Sequence, residues 1–200
     1  MIFKRSKLPS SYLTSNVLDL DISMKKMIVF IQGDDAKLSS LTAENGDVVN
    51  LISDSGQRKF SKITGNGYEI GTNTEIDKSL AGQVVTFGAF EAGKYNLNYS
   101  NVKDIQIFYE PDVDMKVTLN AAEGVEVDPT TGTFPAGTYS VNATLRDRNT
   151  DADLTNHPLL GDVDLKIKVK TAADDKATTY ENGAVITLDP DAATNIVVEG

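Results

Sequence analysis

Short runs of alternating apolar and polar residues, broken by Gly, Asn, Asp and Pro, recur throughout this chain. Tyr95-Asn-Leu97-Asn-Tyr99, Ile105-Gln-Ile107-Phe-Tyr109, Tyr139-Ser-Val141-Asn-Ala143-Thr-Leu145 and Val163-Asp-Leu165-Lys-Ile167-Lys-Val169 each put apolar side chains on one face and polar ones on the other. A period of two marks a strand buried on one side, and many such runs in succession mark a sandwich or barrel. No window of about 11 residues carries the i, i+3, i+4, i+7 apolar pattern of an amphipathic helix. The predicted fold class is therefore all-β.

The chain also repeats itself. Phe90-Glu-Ala92-Gly93-Lys-Tyr95-Asn-Leu97-Asn98 returns as Phe134-Pro-Ala136-Gly137-Thr-Tyr139-Ser-Val141-Asn142. Asp112-Val-Asp114-Met-Lys116-Val-Thr-Leu119 returns as Asp162-Val-Asp164-Leu-Lys166-Ile-Lys-Val169, and Glu44-Asn-Gly46 is echoed by Glu181-Asn-Gly183. Motifs recurring in this way predict tandem β-modules. The division that follows is an N-terminal arm (1–24), a first β-module (25–111), a second (112–170), and a linker with an incomplete third module or C-terminal tail (171–200).

The segment from Val125 to Asp147, with Asp128-Pro129-Thr-Thr-Gly132 followed by Ala136-Gly137-Thr-Tyr139 and an alternating strand, resembles the C-terminal half of bacterial putative-Ig and cadherin-like domains. It is similar, too, to the immunoglobulin tyrosine corner, in which a Tyr entering strand F bonds back to the backbone a few residues upstream. Tyr95 and Tyr139 hold that place, and Leu97 and Val141 stand where antibody domains carry the second disulfide cysteine. This sequence departs from the family in lacking the longer insertion between the Thr-Gly turn and the Ala-Gly-x-Tyr run. The resemblance implies tandem immunoglobulin-like β-sandwiches of the kind found as spacers, decorations or adhesion modules in bacterial surface proteins and tailed-phage virions.

Charge and composition narrow the partners. A net charge of −10 disfavours nucleic acid and anionic membrane, because phosphate binding needs a basic face. The longest apolar run, Met27 to Ile31, is far short of the roughly 20 residues of a membrane-spanning helix. With no cysteine, disulfides, thiolate metal sites and cysteine nucleophiles are excluded. The N-terminus has basic residues with no apolar stretch after them, so no secretory signal is expected.

Candidate chemistry is sparse. The single histidine, His157, lies in Asn-His-Pro and predicts a turn, and no Gly-x-Ser-x-Gly elbow accompanies it. Gly65-Asn66-Gly67 predicts a hairpin turn rather than a phosphate cradle. The candidate metal ligands are Asp147, Asn149, Asp151 and Asp153, whose oxygens at every second position imitate the start of a calcium loop. Ala152 stands where that loop needs Gly and Pro158 where it needs a bidentate Glu. Asp112/Asp114 and Asp162/Asp164 imitate inter-module calcium ligands, but strand geometry turns those carboxylates to solvent. Tyr68, Tyr99 and Tyr109 are candidates for a sugar-stacking platform, with core packing the stronger expectation. Lys4, Arg5, Lys7, Lys25 and Lys26 make the first 26 residues basic within an acidic chain, which suits docking on an acidic partner; the alternative is that Val17-Leu-Asp-Leu-Asp-Ile22 is the first strand of the first module.

The expected protein is non-enzymatic: a structural or assembly component on a phage-type virion surface, with other subunits of the assembly as partners. The alternative is a piece of a bacterial cell-surface or adhesin protein that takes calcium, a host-surface glycan or a protein. Neither nucleic acid nor membrane insertion is expected, and no cofactor other than calcium.

Overall fold

A strand with one apolar face is stable only when a second layer covers that face. The computed structural model describes residues 6–62, 68–70, 79–125, 134–171, 174–189 and 196–199. It is all-β, built of antiparallel sheets in two compact units. One comprises Met1–Asp112 with Arg148–Thr150, the other Val113–Asp147 with Asp151–Gly200.

The strands of the first unit are β1 (Ser6–Lys7), β2 (Leu13–Thr14), β3 (Val17–Leu20), β4 (Met24–Gln32), β5 (Lys37–Ala43), β6 (Leu51–Asp54), β7 (Arg58–Lys62), β8 (Tyr68–Ile70), β9 (Ser79–Phe87), β10 (Gly93–Ser100) and β11 (Asp104–Pro111). One sheet runs β1-β11-β4-β9-β7-β8, with β6 also paired to β9; the other runs β2-β3-β10-β5. The central strand β4 buries Met24, Met27, Val29, Phe30 and Ile31. The second sheet contributes Leu18, Leu20, Leu38, Leu41, Tyr95 and Leu97 to the core. Gln83, buried in β9, joins the sheets: its Oε1 accepts the Leu38 N–H of β5 at 2.8 Å, and its Nε2 donates to Asp54 Oδ1 at 2.6 Å. A buried amide with both ends bonded escapes the desolvation cost of a lone polar group.

Residues 6–24 are part of this unit, which corrects the division of 1–24 as a separate arm. β3 pairs with β10 in the register Leu18↔Tyr95, and β1 pairs with β11 at Ser6↔Tyr109. Leu18, Ile22 and Met24 are completely buried. This bears out the alternative reading of Val17–Ile22 as a first strand; its partner comes much later in the chain, so no local pattern at 1–24 names it.

The second unit contains β12 (Val113–Ala121), β13 (Gly137–Asp147), β14 (Lys166–Thr171), β15 (Thr178–Glu181), β16 (Ala184–Leu188) and β17 (Ile196–Glu199), arranged as β12-β13-β16 and β15-β14-β17. Alternation works as expected along β13, which buries Tyr139, Val141, Ala143 and Leu145, and along 165–169, which buries Leu165, Ile167 and Val169. The segment divided off as 171–200 supplies β15, β16 and β17, which pair with β13 and β14. It completes the second unit rather than beginning a third.

The two units share a plan. A central strand (β10 or β13) lies between two antiparallel neighbours (β3 and β5, or β12 and β16), and the strand after it crosses to the other sheet (β11 or β14). That crossing strand pairs with β4 in one unit and β15 in the other, each of which leads directly into β5 or β16. Chain order differs, since β4 and β5 precede the central strand whereas β15 and β16 follow theirs. The Glu44 and Glu181 turns are consequently not equivalent: one follows β5, the other precedes β16.

Because Leu18 is sealed between the sheets, Leu18→Ala is expected to lose about 2–5 kcal/mol in a denaturant melt. Deleting residues 1–24 is expected to abolish cooperative unfolding of the first unit. A truncated protein with an unchanged melt would contradict the pairing of β3 with β10.

Candidate functional site

The repeated Phe-x-Ala-Gly-x-Tyr run forms the same local structure twice. Gly93 and Gly137 open their strands with φ of 154° and 153°, a region that disfavours any residue with a Cβ. Two residues on, the Tyr95 hydroxyl donates to the Glu91 carbonyl at 2.7 Å, and the Tyr139 hydroxyl donates to the Pro135 carbonyl at 2.6 Å. The rings are buried, Tyr139 completely, and each is met edge-on by the motif's Phe, with centroids 4.9 Å apart for Phe90–Tyr95 and 5.8 Å for Phe134–Tyr139. Burial raises the pKa of both hydroxyls above the ordinary tyrosine value, and the Glu91 carboxylate adds to this at Tyr95. These corners are structural chemistry, fixing where the central strand begins.

The four candidate calcium ligands go separate ways. Asp147 ends β13 and is 1% exposed, while its carbonyl accepts the Asp151 N–H at 2.9 Å. Asn149 donates from Nδ2 to Asp112 Oδ2 at 3.2 Å, and Arg146 donates from Nη1 to the Asp151 carbonyl at 3.2 Å. Asp153 Oδ1 accepts both the Thr155 hydroxyl at 2.6 Å and the Thr155 N–H at 2.9 Å, which together hold its pKa below the usual carboxylate value. Among the described residues no three acidic or histidine side chains gather where they could hold a metal ion. One carboxylate of each Asp-Val-Asp pair is in an ion pair: Asp112 with Arg148 at 3.0 Å and Asp164 with Lys166 at 3.4 Å. The Lys166 ammonium also donates to Glu181 at 3.1 Å, which heads the causes of its raised pKa.

His157 caps a short 3-10 turn over Pro158–Leu160, its Nδ1 accepting the Leu159 N–H at 3.2 Å. Tyr99 and Tyr109 do not share a platform, because Tyr109 is buried whereas the Tyr99 hydroxyl donates to the Ser15 carbonyl at 3.0 Å. The side chain of Tyr68, the turn at Gly65-Asn66-Gly67 and the Asp128–Gly132 turn lie outside the described residues.

Two surface features were missed from the sequence. On the outer face of the β3-β10-β5 layer, Asn98 Nδ2 donates to the Ser40 and Thr42 hydroxyls at 2.8 and 3.0 Å. Beside this cluster Ser15, Asn16, Ser39, Asn98, Tyr99 and Ser100 line an open hollow. The alternation of Asn96 and Asn98 with buried Tyr95 and Leu97 was the available signal. The second feature is an apolar edge at Val48, Leu51 and Ile52, which are 66%, 50% and 53% exposed. No family model, no curated protein and no solved structure matches the chain.

Tyr139→Phe leaves the Pro135 carbonyl without its buried donor and is expected to cost about 0.5–1.5 kcal/mol in chemical denaturation. The raised pKa gives a sign for pH. The folded form favours the neutral phenol, so this contribution is intact below pH ~10, the unfolded value, and is lost as pH climbs through the folded value. Alkaline destabilisation is therefore expected to be shallower in Tyr139→Phe than in the parent. Equal stability curves for the two proteins would contradict the corner. For the 147–153 loop, millimolar calcium is expected to leave Tm where a control salt of equal ionic strength leaves it. A calcium-specific rise abolished by Asp151→Ala would show that the loop rearranges to take the ion.

Proposed function

We propose that this chain is a non-enzymatic structural protein made of tandem immunoglobulin-like β-sandwich modules, an accessory or decoration component on the surface of a phage-type virion. The observation that carries the proposal is the corner built twice, in Phe90–Tyr95 and Phe134–Tyr139, each with the hydroxyl-to-carbonyl bond typical of such sandwiches. The hydrogen bonds of both corners hold strands in place. An acidic surface at net charge −10 keeps many-stranded modules soluble and discourages indiscriminate edge pairing. Recognition of other subunits then falls to local surface features.

A second role, as a piece of a bacterial cell-surface or adhesin protein, is favoured by the hollow at Ser15, Ser39, Asn98 and Tyr99. Hydroxyls and amides beside one aromatic ring suit the hydroxyl groups of a glycan.

Density-gradient fractionation of the producing cells and their released particles, followed by mass spectrometry, separates the two roles. The protein is expected to band with tailed particles. Recovery with the cell envelope instead supports the second role, and recovery in neither fraction overturns both.

A further inference from the structure

We infer that the apolar edge at β6 is a docking site for the N-terminal segment Ile2–Arg5 of a second copy of this chain, which adds there as an extra strand. The inference rests on the assembly role proposed above, and its chemistry comes from the edge itself. β6 pairs only with β9 among the described residues, so its other edge offers backbone donors and acceptors to a new strand. All four of its residues are exposed: Leu51 and Ile52 are about half exposed, and Val48, just ahead of the strand, is two-thirds exposed. Ordinary edges are guarded by lysine or proline. This one has neither between Glu44 and Asp54.

Charge selects the occupant. Glu44, Asp47 and Asp54 are exposed around the apolar residues, with no cation among them. The next cation along the chain is Arg58, whose Nε is engaged with the Ser55 carbonyl at 2.8 Å. Two β6 edges brought together antiparallel would set Asp47 and Asp54 of one copy against those of the other, which is repulsive. Ile2-Phe3-Lys4-Arg5 offers two apolar residues followed by two cations. Run in either direction along Leu51–Ile52, it brings its cations beside a carboxylate, Asp54 at one end or Asp47 at the other.

The register shows why the segment serves another copy. Ser6, Tyr109, Met27, Phe87 and Leu51 form one row across the sheet, with β1 at one edge and β6 at the other. Four strand spacings make that row roughly 19 Å. Ile2 precedes Ser6 by four residues and reaches at most about 14 Å from it. The segment therefore falls short of the β6 of its own copy. Donor at one edge and acceptor at the opposite edge make a heterologous contact, which joins copies in a ring where the rotation closes and in an open series where it does not.

Sedimentation velocity over a concentration series tests this with the full chain and two variants. The parent is expected to show a weight-average sedimentation coefficient that rises with concentration and falls back in high salt. A variant lacking residues 1–5 retains the acceptor and loses the donor; Ile52→Lys, at an exposed position, retains the donor and loses the acceptor. Each alone is expected to stay monomeric with an unchanged circular dichroism spectrum, and an equal mixture is expected to form a dimer and nothing larger. A labelled peptide of residues 1–7 is expected to bind the variant lacking 1–5 and not the same variant carrying Ile52→Lys. A parent that stays monomeric and an edge that ignores the peptide would overturn the inference. A monomeric parent that still bands with particles, but loses them on Ile52→Lys, overturns self-docking in favour of a different protein on the same edge. Banding with particles irrespective of Ile52 and of residues 1–5 leaves the assembly role standing and sinks this site.

Discussion

A phenol buried in an apolar interior must find an acceptor, and here that acceptor lies four residues back along the same chain. The bond closes a small loop at the start of β10 and again at the start of β13. With the glycine between them at φ near 154°, it fixes the angle at which the chain enters the central strand of its sheet. Everything downstream inherits that placement. The central strand receives a neighbour on each side, and the next strand has to cross to the opposite layer to cover the apolar face just created. The phenylalanine that opens the motif packs edge-on against the ring, so the corner is held by dispersion and quadrupole contacts as well as by one hydrogen bond.

Around these corners the polar side chains serve the backbone and each other. Gln83 joins the two sheets of the first unit, and Ser23, completely buried, accepts the Ala92 N–H through its hydroxyl at 3.0 Å while its carbonyl accepts the Asp112 N–H. Asn182 imitates a strand neighbour in the second unit: Oδ1 accepts the Ala143 N–H and Nδ2 donates to the Ala143 carbonyl. Such side chains specify one arrangement of the sheets because each is satisfied in only that arrangement. In the 147–153 loop the Asp153 carboxylate does the same work by accepting the Thr155 N–H and hydroxyl, and the Asp147 carbonyl accepts the Asp151 N–H.

The sequence showed the corners plainly, because the motif is local and occurs twice; Tyr95 and Tyr139 needed no partner outside six residues. The alternation at 95–99, 105–109 and 139–145 was legible for the same reason. What could not be read was pairing across long separations. Val17–Leu20 reads as part of an arm or as a first strand until Tyr95 and Asn96 are placed beside it, and Ala184–Leu188 looks like a new module until Tyr139 is. The Glu-Asn-Gly echo misled because any tight turn selects Asn-Gly, whatever strands it joins. Leu51 and Ile52 passed unnoticed because an apolar pair in a strand ordinarily means core, and only the sheet shows that β6 pairs with β9 alone among the described residues.

The claim that both units are organised by a buried tyrosine bonded to its own upstream backbone has a direct spectroscopic test. A hydroxyl proton sealed from water and held by a carbonyl exchanges slowly enough to be seen in proton NMR, unlike those of exposed tyrosines. Two such resonances are expected, one with nuclear Overhauser contacts from Tyr95 to Glu91 and Ala92, the other from Tyr139 to Pro135 and Ala136. Each should vanish in the corresponding Phe variant while the other remains. If neither hydroxyl proton is observed, or if those seen belong to other tyrosines, the corners do not hold the sheets and the account fails.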